Sequence, residues 1–164
     1  MNKPLMFHPE LEQLIHEGKK TQTRRIVKPE SGGEIVGWGG EHIAMEEISS
    51  NDPDTMHVRT VLCPYGKVGH LFILSDMKVA KITAIQVERL QDITHEEAIK
   101  EGCIEYGPFD EYRGAPHPNV SGKFRAYKKP IDAFKSIWEL LEGRDSWHEN
   151  PWVWVISFEL NNSN

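Results

Sequence analysis

Trp152-Val153-Trp154-Val155-Ile156-Ser157-Phe158-Glu159-Leu160 is the stretch from which the fold can be read. Trp152, Trp154, Ile156, Phe158 and Leu160 recur with a period of two, which predicts a strand with one face on a core. Its apolar run is far shorter than the ~20 residues that a membrane-crossing helix needs. Working back along the chain, the β-branched residues between Val79 and Leu90 predict a second long strand, and Leu71 to Leu74 a short buried one. Lys19 to Val27 reads as a polar loop entering another short strand, ended by Pro29.

Three short helices accompany these strands. His8 to Glu17 has Pro9 at its start, Glu10 and Glu12 in the first turn, and Leu11, Leu14 and Ile15 on one face, with Gly18 as its stop. Thr94-His95-Glu96-Glu97 has the form of a capping box, predicting a helix from His95 to about Glu101 that stops at Gly102. Pro130 opens a third, with Ile131, Phe134, Trp138 and Leu141 on its apolar face. Strands without regular strand–helix alternation predict an α+β fold, a small and mostly antiparallel barrel with flanking short helices.

At 164 residues the chain fits one domain, read here as residues 1–160 with a frayed, disordered tail over 161–164. Residues 30–60 and 104–130, rich in Gly, Pro and polar groups, read as irregular insertions. The first carries a β excursion near Ile35 to Met45 and a mobile loop near Ser49 to Thr55. A mean hydropathy of −0.52, with 27% charged residues, is that of an ordinary soluble protein. The amino end lacks the apolar run of a signal peptide, so a cytoplasmic location without membrane attachment is expected. Cys63 and Cys103 match neither a disulfide framework nor a zinc pattern and read as reduced thiols.

The net charge is −6, yet the first 29 residues hold six basic and three acidic groups. That is one basic corner on an acidic protein, suited to a local anion site rather than to coating nucleic acid. GxGxxG, Walker, GxSxG and HExxH motifs are absent, and the histidines are scattered singly, so no metal or cofactor is expected. Trp147, Trp152 and Trp154 could stack bases, but period-two placement favours core packing. The stretch richest in chemistry is Gly18-Lys19-Lys20-Thr21-Gln22-Thr23-Arg24-Arg25. Crowded cations disfavour one another's charge, which could make Lys20 a base toward a nearby hydroxyl. The same residues could instead grip a phosphate through Arg24 or Arg25, or form a solvated charged loop.

This stretch resembles the G-x-K-T-x-T-x-R signature of ASCH domains, members of the PUA-like superfamily. Lys3-Pro4-Leu5-Met6-Phe7, Val68-Gly69-His70 before Leu71-Phe72-Ile73-Leu74, Arg89 to Thr94 with Ala98 to Gly102, and Asn150 to Phe158 resemble further blocks of that family in the same order. In detail they are most similar to ASCH proteins of phages and prophages. The resemblance implies a PUA-like β-barrel and a partner that is RNA or a nucleoside or nucleotide, bound through Lys19, Lys20, Thr21, Thr23, Arg24 and Arg25. A small bacterial relative is an N4-acetylcytidine amidohydrolase, and other relatives are ribonucleases. Motif by motif, its catalytic residues fall on Lys20 as proton acceptor, Thr23 as nucleophile and Glu101 as proton donor. That compact relative lacks the 104–130 segment, so a pocket here has a different rim. Three functions are therefore expected to compete: RNA or modified-nucleotide binding, amidohydrolysis or ribonuclease activity, and protein interaction through the aromatic surfaces. The sequence does not fix an oligomeric state.

Overall fold

The computed structural model describes residues 1–52, 54–55 and 57–162. In chain order the elements are α1 (Pro9–His16), β1 (Gln22–Ile26), β2 (Glu34–Gly40), β3 (Ile43–Ile48), β4 (His57–Leu62), β5 (Leu71–Ile73) and β6 (Val79–Arg89). They continue with α2 (His95–Lys100), β7 (Tyr112–Pro116), β8 (Phe124–Tyr127), α3 (Pro130–Glu142), α4 (Ser146–Glu149) and β9 (Trp152–Leu160). This is the expected small α+β fold, built on a curled antiparallel half-barrel sheet with a few short helices. No helix among the described residues is long and apolar enough to cross a membrane. The chain divides into two compact units.

The first unit comprises residues 1–6, 23–89 and 152–164. Its larger sheet has the order β1-β9-β6-β5. β6 and β9 run antiparallel from Ala80↔Leu160 to Arg89↔Trp152, with one bulge between Ile82 and Ala84. β9 does not have the single core face that its period predicts. Val153 and Val155 are buried as fully as Trp154 and Ile156, because β9 is a central strand covered on both faces. Phe72 packs edge-on against Phe158 at 5.5 Å. Each such buried aliphatic or aromatic side chain contributes about 1.5–3 kcal/mol relative to exposure. Cys63 is free and buried there, and burial pushes its thiol up to about 11. Asn161 continues the chain beyond β9 by donating its backbone N–H to the Val79 carbonyl at 2.8 Å; the last two residues of the predicted tail lie outside the described residues.

The β excursion expected near Ile35 to Met45 is present as β2 and β3, and with β4 they form a three-stranded meander, β2-β3-β4, more regular than the segment's composition suggests. The loop expected near Ser49 to Thr55 is tied in part by Asp52, whose carboxylate accepts from Asp54 N and Thr55 Oγ1; Pro53 lies outside the described residues. The meander buries a carboxylate on its inner face. Glu46 is 0% exposed and accepts from the backbone N–H groups of Glu30, Ser31 and Gly33 at 2.9–3.0 Å. Gly33 can approach this closely because a Cβ there would collide with the Glu47 carbonyl.

The second unit comprises residues 7–22 and 90–151. Thr94 and Glu97 form the predicted reciprocal capping box on α2. The segment expected to be irregular over 104–130 contains the β7–β8 hairpin, which packs on α3. On α3 the buried side chains are Pro130, Ala133, Phe134 and Trp138, while Leu141 is 46% exposed and Ile131 is half-buried, so the core face is narrower than the sequence predicts. Cys103 is free and buried, which pushes its thiol well above its ordinary value.

Burial raises the Glu46 pKa, but the backbone N–H groups of Gly33, Ser31 and Glu30 outweigh it and hold the carboxyl below its ordinary value. A folded pKa below the unfolded value gives stability that is complete above about pH 4.3 and is lost as pH falls through the folded pKa. The urea midpoint of the wild type is therefore expected to fall below pH 4, and Glu46→Gln to be weaker at pH 7 with a flatter acid limb. Parallel acid limbs in the two proteins would show that Glu46 does not carry this dependence.

Candidate functional site

Helix α1 ends where Gly18 adopts φ +71°, letting the N–H groups of Lys19 and Lys20 both reach back to the Leu14 carbonyl. That reversal sends the Lys20 side chain into the second unit. Lys20 Nζ donates to the Gln22 carbonyl at 2.7 Å, the Glu101 carbonyl at 2.7 Å and Glu101 Oε2 at 3.1 Å. These acceptors match the three protons of an ammonium. Both side chains of the ion pair are buried, at 2% and 6% exposure, and the ammonium lies 5.7 Å from the Phe7 ring centroid. The Thr21 N–H adds a bond to the Lys100 carbonyl, so the signature loop is clasped to the carboxyl end of α2.

The other signature residues are placed differently. Lys19 is exposed and pairs with Glu17 at 2.8 Å. Thr23 is 4% exposed within β1, in the first unit. In that same unit the fully buried Arg24 side chain meets Glu88 at 2.7 Å, and Arg25 donates to the Met6 carbonyl at 2.7 Å. Of the three residues with expected catalytic roles, Lys20 and Glu101 are therefore in direct contact.

Directly after Glu101 comes Gly102, at φ +118°. A Cβ there would lie 3.1 Å from Leu14 and 3.8 Å from Cδ of Lys20. Gly102 forms part of the wall of a cleft of about 510 Å³ that lies wholly within the second unit. This volume falls in the range of small-molecule sites. His8, Glu10 and Leu11 of α1 and its approach line one side, and Ile137, Leu140 and Leu141 of α3 another. The hairpin contributes Arg113, Gly114, Pro116 and Phe124. The Arg113 guanidinium lies 3.6 Å from the Phe124 ring centroid. Phe124 is fixed further by Tyr106, edge-on at 5.9 Å, whose hydroxyl accepts from the Phe124 N–H.

Arg113 and Phe124 fall in the segment whose composition reads as a loop, and their pairing depends on the hairpin register Arg113↔Ala126 and Pro116↔Phe124. One sequence signal was present. Ile137, Leu140 and Leu141 make the apolar surface of α3 wider than one core face requires, and the surplus lines the cleft.

No protein-family profile matches the chain, and no curated protein or solved structure matches it significantly.

Removing one partner from a buried ion pair typically costs about 3–5 kcal/mol. Lys20→Met is expected to fall in that range in urea unfolding, because it leaves a carboxylate and two carbonyls without their donor. Glu101→Gln is expected to cost clearly less, since the amide oxygen still accepts and the backbone carbonyls keep the ammonium. Equal losses would remove Lys20 from its place as the clasp.

Proposed function

We propose that this protein binds an unpaired base of RNA, or a free modified nucleoside or nucleotide, in the cleft of the second unit. The observation that carries the reading is the Arg113 guanidinium over the Phe124 ring on the wall of a mostly apolar cleft, where His8 and Glu10 are the other polar lining side chains. Planar cations and aromatic rings stack on bases of any sequence, and an apolar wall excludes water from the contact. The net charge of −6 argues against duplex binding along the phosphate backbone. So does the use of Lys20 and Arg24 in buried ion pairs, which withdraws two cations of the basic corner from an outside phosphate. The resemblance to ASCH domains of phages and prophages points to the same class of ligand.

Titration with nucleosides and single-stranded RNA hexamers is expected to show saturable binding. Phe124→Ala should weaken it roughly 5–150-fold, since stacking one base on an aromatic side chain contributes about 1–3 kcal/mol. Absence of binding across the panel, or an unchanged affinity in Phe124→Ala, would defeat the reading.

A second reading is amidohydrolysis of an acylated base, favoured by one observation: the Lys20–Glu101 pair stands immediately behind Gly102 in the cleft wall. In it the Lys20–Glu101 pair carries the proton transfers, and water and N4-acetylcytidine yield cytidine and acetate. Release of cytidine by the wild type that stops in a folded Glu101→Gln variant would support it, and equal background rates would end it.

A further inference from the structure

Among the described residues, the buried cations Lys20 and Arg24 each have a carboxylate partner: Lys20 has Glu101 with two carbonyls, and Arg24 has Glu88. Arg113 is different. Its side chain is half-buried in the cleft, yet it has no hydrogen-bond or ion-pair partner among the described residues. What it touches is the Phe124 ring, which offers no oxygen or nitrogen acceptor to its N–H groups. A desolvated guanidinium without an acceptor is unfavourable, and burial lowers its pKa accordingly. Glu10, which also lines the cleft, acts on it only at a distance, as does Glu17; both are exposed, so water and salt screen them. Such an arrangement is costly in the empty protein and becomes favourable when an anionic oxygen enters.

We propose that the cleft takes an oxyanion, a phosphate or carboxylate carried on a planar or apolar body, with Arg113 as the residue that anchors the charged end. The apolar wall of Leu11, Ile137, Leu140 and Leu141 receives the body. In its nucleotide form this rests on the base-binding reading above and deepens it: the preferred ligand is a nucleotide rather than a neutral nucleoside.

The test compares four probes by calorimetric titration: a nucleoside, its 5′-monophosphate, a dinucleotide with one internal phosphodiester, and 1-naphthoate. The better-bound phosphate ligand should exceed the nucleoside by at least about tenfold. Which of the two phosphate ligands binds better tells whether a terminal or an internal phosphate is the source. In Arg113→Gln that margin should vanish while nucleoside affinity stays within about threefold, and in Glu10→Gln it should widen as a competing negative charge is lost. Equal affinity for nucleoside and nucleotides, or a margin that survives Arg113→Gln, would overturn the proposal and leave base binding standing. Binding of 1-naphthoate alone, dependent on Arg113, would retain the oxyanion site and discard the base. No binding of any probe would end both. Thermal unfolding without ligand gives an independent reading. Arg113→Gln should unfold at or above the wild-type temperature, because an unmatched charge has been removed; a clear drop would mark Arg113 as a structural strut and overturn its anchoring role.

Discussion

A buried ammonium must be surrounded by acceptors, and at Lys20 this requirement organises the second unit. The charge is supplied by a loop, just after the left-handed turn at Gly18 that ends α1. The acceptors come from the Gln22 carbonyl and from both the carbonyl and the carboxylate of Glu101, at the end of α2. The carbonyl at the end of a helix has no intrahelical donor, so a lysine pointed at it satisfies the helix terminus and its own charge together. Two segments about eighty residues apart in sequence are thus fixed to each other, and the residue that follows, Gly102, is set into the cleft wall with its position decided by that clasp. The ion pair and the cleft are physically continuous, which is why a role for Lys20 and Glu101 in holding the site is separable from a role in chemistry only by their effects on folding and on turnover.

The larger elements were legible because each announces itself locally. The β-branched run of β6, the capping box of α2 and the Pro9 and Pro130 starts of α1 and α3 need no distant partner to be recognised. What misled is equally physical. The period-two pattern in β9 holds as buried against exposed only at its carboxyl end, around Phe158 and Glu159, because from Val153 to Ile156 this central strand is buried on both faces. In the meander only the excursion near Ile35 to Met45 was legible as β; the surrounding glycines and acidic groups read as irregular, yet one of those acids, Glu46, is the acceptor that folds the entering turn onto the sheet. Composition counts such a carboxylate as solvated surface; only its three N–H donors, brought from residues 30–33, reverse that reading.

For the site, the sequence signalled the crowded cations at 18–25 but not how each is used. Lys19, Lys20, Arg24 and Arg25 lie within seven positions, and the fold sends them to four different partners: an exposed carboxylate, a buried carboxylate with two carbonyls, a second buried carboxylate, and the Met6 carbonyl. Apart from the Gln22 carbonyl beside Lys20, the partners of Lys20, Arg24 and Arg25 lie between nineteen and eighty-one residues away, so proximity in sequence held little information about their roles. Arg113 and Phe124 were hidden for the converse reason: they are eleven positions apart in a stretch rich in Gly and Pro, and only a hairpin register makes them neighbours.

A cation inside a protein can serve either to hold the chain together or to hold something else, and its partners tell the two apart. Where the acceptors belong to the chain, as for the ammonium of Lys20, the electrostatic gain is realised on folding. Where a charge is partly withdrawn from water and the fold supplies only an aromatic face, the gain is deferred until an acceptor arrives from outside. Selection on stability alone would replace such a guanidinium with an apolar group of similar size, since the surrounding Leu, Ile and Phe side chains could cover it at no electrostatic cost. That the charge stands at position 113, against Phe124 and open to a cleft, is the feature of this fold that stability does not account for and that recognition does.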